Sequence, residues 1–141
     1  MTSIVAGLGG GLVATILMTA VMMAMGDGGP PPTADLVAKL RGGASEEHAM
    51  PGMVLHVLYG VGAGAAFAVG APLLGVDLGS LGIAIGAGAV YGVALAIGGM
   101  VFWMRLVLGM DPDRRTMSTF GTVHVVYGVA LGAFVGSGVL A

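Results

Sequence analysis

The chain contains no cysteine and very few charges, and each shortage excludes a class of protein. Without cysteine there is no disulfide framework, no thiolate metal site and no cysteine nucleophile. Only 9% of the 141 residues are charged. A water-soluble domain carries about 25%, because it must wet its surface. The net charge of −2 leaves no basic footprint for nucleic acid. The apolar stretches carry no Asp, Glu or Lys that could couple ion movement. They also carry no nucleophile–base pair and no carboxylate dyad, so an enzyme is not expected.

What remains is 57% apolar, with a mean hydropathy of +1.01 and 28 glycines. The glycines follow no G-x-y period and lie among Ala, Val, Leu and Met rather than polar filler, which excludes collagen and a flexible linker. Glycine in that company suits membrane helices packed backbone to backbone. Four runs, residues 4–25, 53–74, 81–108 and 119–140, each reach the ~20 residues needed to cross ~30 Å of hydrocarbon. The first ends at Asp27-Gly28-Gly29-Pro30-Pro31-Pro32, where proline cannot continue a helix. It lacks a basic leader and exceeds a signal peptide's apolar core, so it reads as a permanent span. The expectation is an all-α bundle of four transmembrane helices in one domain, embedded in a lipid bilayer.

All five basic residues fall on one side of that bundle. Lys39 and Arg41 lie in the first loop, and Arg105, Arg114 and Arg115 flank the third. The positive-inside rule then puts the charged loops in the cytoplasm and both termini outside the cell membrane. Loop 27–52 contains a short candidate surface helix, with Thr33 as its cap, Leu36, Val37 and Leu40 on its apolar side and Gly42-Gly43 as its end.

Residues four apart share a helix face, and small residues recur at that interval in every span. The stripes are Gly7-Gly11-Thr15-Thr19 with Ala6-Gly10-Ala14-Met18-Met22 beside it, His56-Gly60-Gly64-Ala68, Ala84-Gly88-Gly92-Ala96-Met100-Met104, and His124-Gly128-Gly132-Gly136. Such small-xxx-small stripes predict close helix interfaces. The phrase His56-Val57-Leu58-Tyr59-Gly60-Val61 returns as His124-Val125-Val126-Tyr127-Gly128-Val129, as it would in a duplicated helical hairpin.

Polar and soft side chains collect at the basic end of these stripes. Thr19 and His124 lie roughly 9 Å inside their spans, at 1.5 Å per residue, where an unpaired polar group is costly. Spans two and four run the same way, so His56 and His124 come to similar depth. Two readings follow. The histidines and tyrosines hydrogen-bond across helices while the methionines fill gaps. Alternatively, His56 and His124 with Tyr59 and Tyr127 hold a haem, a quinone head or a metal, and Met18, Met22, Met100 and Met104 complete a soft copper site.

The segments Gly11-Leu12-Val13-Ala14-Thr15, Met18-Thr19-Ala20-Val21-Met22 and His124 to Gly132 resemble an uncharacterised family of small four-helix membrane proteins frequent in haloarchaea. That resemblance implies a four-span bundle and no particular activity. The functional expectations are an accessory subunit of a larger membrane assembly or a self-associating protein, a small oligomeric channel or transporter, or a haem or copper carrier. Orientation is directly testable. Ser3→Cys and Ser80→Cys should react with an impermeant thiol reagent in intact cells, and Ser45→Cys should not. Labelling at Ser45→Cys alone would invert the topology.

Overall fold

The computed structural model describes residues 3–26 and 29–141. The Asp27-Gly28 stop expected after the first span lies outside the described residues. Helix α1 (Ile4–Met25) begins at Ser3, whose side chain accepts a hydrogen bond from the Ala6 N–H. A short α2 (Thr33–Arg41) and a 3-10 turn (Ser45–His48) lead into α3 (Ala49–Leu73). Helix α4 (Leu81–Gly98) continues as a π-helical segment, Gly99–Val107, and α5 (Arg114–Gly136) closes the bundle. Asp113 caps α5 by accepting from the Thr116 N–H, and that bond holds its carboxyl below the usual carboxylate range. The cap is why α5 starts five residues before the expected span.

Four helices are long and apolar enough to cross a membrane, so the chain is a small multi-pass integral membrane protein. They do not form a closed square. Helix α1 packs on α3 and on α5, α5 packs on α4, and α3 scarcely meets α4. The order across the bundle is therefore α3–α1–α5–α4, with a gap between the two outer helices.

Glycine dictates that order. In lipid no hydrophobic drive pushes helices together, so they associate where backbones come close enough for dispersion and Cα–H···O contacts. A Cβ added at Gly11 would stand 2.7 Å from the Gly60 carbonyl oxygen, and one at Gly64 would stand 2.6 Å from the Gly11 Cα. Across the second interface, side chains at Gly88, Gly92, Gly128 or Gly132 would likewise collide with the facing backbone. Each stripe thus packs against another: Gly7-Gly11-Thr15 on Gly60-Gly64-Ala68, and Ala84-Gly88-Gly92 on Gly128-Gly132-Gly136. The second stripe of α1 turns to α5, where Gly10 meets Leu131, Phe134 and Val135.

Helix α2 does more than lie on a surface. Its Ala34 is fully buried against Gly52, and the Thr33 hydroxyl donates to the Gly52 carbonyl at 2.5 Å rather than capping the helix. Pro32 takes the cap position, and Leu40 points outward, 78% exposed.

Gly132→Leu forces a branched side chain into backbone contact and is expected to cost about 1–3 kcal/mol, the range for overpacking. Gly86, with open space at its Cβ, should accept leucine with little change. Thermal unfolding in detergent compares the two, and equal midpoints would refute the glycine interface.

Candidate functional site

The gap between α3 and α4 is not filled. A cavity of about 180 Å³ lies there, walled by Thr15, Met18 and Met22 of α1 and by His56, Tyr59 and Gly60 of α3. Phe120, Val123, His124 and Tyr127 of α5 face them, and Gly99, Trp103 and Met104 of the π segment complete the wall. Pro32, Thr33 and Leu36 close the loop end, so α2 acts as a floor. Along this cavity α3 and α4 barely touch.

Two tyrosines tie α3 across this gap. The Tyr127 hydroxyl donates to the Gly60 carbonyl at 2.6 Å, and the Tyr91 hydroxyl donates to the Ala63 carbonyl at 2.8 Å. The Tyr91 ring also packs on Phe67, with centroids 5.2 Å apart. A helix carbonyl has a second lone pair free for such a bond. The Tyr91 clip joins α4 to α3, and the Tyr127 clip joins α5 to α3.

The two histidines enter the cavity by different routes. Thr19 donates its hydroxyl proton to the Thr15 carbonyl at 2.7 Å. Its oxygen is then left to accept from the His56 Nε2–H at 3.0 Å. His124 Nδ1 lies 2.7 Å from the Phe120 carbonyl, which has no proton to give, so Nδ1 is the donor. The Phe120 ring stacks on the His124 imidazole at 4.2 Å between centroids. Each ring therefore spends its only N–H on the protein. His56 Nδ1 and His124 Nε2 keep their lone pairs, and neither has a hydrogen-bond partner among the described residues. Both rings line the same cavity.

Of the residues expected at a site, the fold gathers His56, His124, Tyr59, Tyr127, Met18, Met22 and Met104 around this cavity. Met100 is not among the cavity residues. It was expected in line with Ala96 and Met104, but the π segment widens the turn. Gly99 and Met104, five residues apart, become the buried pair. A Cβ at Gly99 would stand 2.6 Å from the tip of the Phe120 ring that supports His124, so a side chain there would displace that ring. The sequence reading treated the third span as unbroken. The Gly98-Gly99 pair was the available signal, because such pairs are common sites of helix distortion. It also missed Trp103 and Phe120; Phe120 was detectable as the residue one turn before His124, on the same face. Tyr59 and Tyr127, twins in sequence, diverge: Tyr127 is 2% exposed and Tyr59 48%.

No family model matches the chain, and no curated protein or solved structure matches it either.

Removing the Tyr127 hydroxyl strands one clip of α3. Tyr127→Phe should lower stability by about 0.6–1.7 kcal/mol, the range for hydrogen bonds between membrane helices. Tyr59→Phe, which breaks no hydrogen bond between described residues, should leave the unfolding midpoint unchanged. If the two variants match, Tyr127 does not clip α3.

Proposed function

We propose that this multi-pass membrane protein binds a small lipophilic molecule in the cavity between α3 and α4 and acts as a carrier or ligand-holding component of the membrane. The observation that carries this reading is the pair of imidazole lone pairs left over at one apolar cavity. No buried side-chain nitrogen or oxygen among the described residues lacks a hydrogen-bond partner, so these two nitrogens are accessible rather than sealed in the packing. Size narrows the ligand. A dry protein cavity of about 150 Å³ holds a benzene ring, so 180 Å³ suits one ring and not a porphyrin. Haem is therefore disfavoured. The basic residues cluster at the same end as the cavity, which the positive-inside rule assigns to the cytoplasmic half of the cell membrane.

A structural accessory subunit is the second reading, and one feature favours it. Gly62 and Gly70 on α3, with the exposed Ala66 between them, face outward, and nothing stands within 4 Å of either glycine's Cβ position. That face has the interval used by helices that pack closely on another chain. The other stripes are already consumed inside the bundle, which weakens the general argument from glycine content.

Purification from native membranes separates these readings. A carrier should bring a near-stoichiometric lipophile, seen by mass spectrometry of an organic extract. Leu95→Trp, which fills the cavity, should lose it. Partner polypeptides without such a molecule would favour the accessory subunit. Stoichiometric copper lost in His56→Ala and His124→Ala would instead assign the imidazoles, with Met18, Met22 and Met104, to a soft metal ion.

A further inference from the structure

The cavity has a polar neighbour at the basic end of the bundle. We infer that the two spaces together bind one amphiphile, with its apolar ring in the cavity and an uncharged polar head in the neighbouring cleft. That assignment rests on the ligand-binding reading above and adds the chemical class of the ligand.

The cleft lies where α1 ends and where α3 and α5 begin, and it is lined by Glu46, Met53, Asp113, Arg115, Thr116 and Thr119. Glu46, Asp113, Arg115 and Thr116 are exposed, so its wall is wet. Met22, Pro32, Met104, Phe120 and Val123 border both spaces and form the partition between them. Met22 and Met104 are unbranched, with three rotatable bonds each, so that partition can yield without moving a helix. The opposite end of the gap is filled. Leu78 is 2% exposed and Phe67 3%, and both belong to one packed core with Tyr127. Along α5, Thr116 of the cleft and Tyr127 of the cavity lie about 16 Å apart at 1.5 Å per residue. That length exceeds one ring and accommodates a ring, a short chain and a head.

The membrane setting requires both parts. Lipid tails are as apolar as leucine, so a wholly apolar molecule gains little by leaving them for an apolar cavity. A polar group gains more, because hydrocarbon offers it no hydrogen-bond partner. Seating the ring in the cavity brings such a group to the cleft, where hydroxyls and charged side chains line the wall. The cleft carries both signs. A cationic head would meet Arg115, and an anionic one Glu46 and Asp113. An uncharged amide or hydroxyl head can donate to a carboxylate and accept from a guanidinium, so it suits the whole wall.

The test uses the full chain in lipid vesicles and reads quenching of Trp103, the single tryptophan of the sequence and part of the cavity wall. The probes share a bromophenyl ring, whose heavy atom quenches indole fluorescence. Para-bromo-propylbenzene has no head, para-bromophenylpropanamide has an uncharged one, and the matching propanoate and propylamine carry one charge each. Binding is the saturable part of the quenching, referred to probe concentration in the lipid. The amide should bind about tenfold tighter than the headless probe, the factor expected for one hydrogen bond gained, and tighter than either charged probe. Thr119→Leu removes a cleft hydroxyl, so it should lower amide affinity and leave the headless probe unchanged; Thr116→Leu is a second, more exposed variant with the same expectation. Ala63→Leu narrows the cavity and should abolish saturable quenching by both probes. Equal affinities of the amide and the headless probe, or equal effects of the cleft variants on both, would overturn the two-part site and leave the cavity reading standing. Tighter binding of a charged probe would overturn the uncharged head. No saturable quenching by any probe would overturn both readings.

Discussion

Close backbone approach at glycine is the constraint on which the rest of this protein depends. Lipid is as apolar as leucine, so burying leucine between helices gains little there. Contact must come from helix axes that nearly touch, and only residues without a bulky side chain permit it. The chain provides two such seams, Gly7-Gly11 with Gly60-Gly64, and Gly88-Gly92 with Gly128-Gly132. The two hairpins are then joined by α1 against α5, where Gly10 admits Leu131 and Phe134. Three tight seams arrange four helices in a row, and the fourth possible seam, between α3 and α4, is not formed. The cavity follows from that omission.

What lines the cavity is a consequence of the same arrangement. Both seams bring a histidine to the basic end, because each histidine sits one turn before the first glycine of its stripe. Two tyrosine hydroxyls reach α3 carbonyls, Tyr91 from the other outer helix and Tyr127 from α5, so α3 is held by hydrogen bonds on the side where its helix packing is sparse. The π segment adds the last element. Its wide turn turns Met104 and Gly99 inward, and the space beside Gly99 receives the phenyl ring that braces His124. A local departure from α-helical geometry thereby shapes one wall of the site.

The repeated phrase does not produce a symmetric site. His56 bonds across to a neighbouring helix, whereas His124 bonds back to its own. Tyr127 is buried and holds α3, and Tyr59 stands at the open rim. The difference traces to neighbours. Helix α5 lies between α1 and α4, while α3 is an outer helix with one side open. Equal sequence in unequal surroundings yields an inner clip and an outer wall. The resulting pair of imidazoles shares one property, which is that each has a nitrogen with no hydrogen-bond partner among the described residues.

Composition and four-residue spacing determined the membrane class, the number of spans and the faces that meet. These depend on local chemistry: a 20-residue apolar run must lie in lipid, and a row of glycines must lie where backbones are closest. That His56 and His124 lie at similar depth was an expectation from parallel helices with a shared phrase, and both residues line the cavity. Tertiary structure alone decided which helices are neighbours, and hence that a cavity opens between α3 and α4. It also decided that α2 floors that cavity, that Met100 is passed over for Gly99, and which ring nitrogens are spent. Those outcomes rest on contacts between residues far apart in the chain, such as Thr19 with His56 and Tyr127 with Gly60. No periodicity along a single helix records them, since a helix face shows what a residue can meet and only the assembled bundle sets what it does meet.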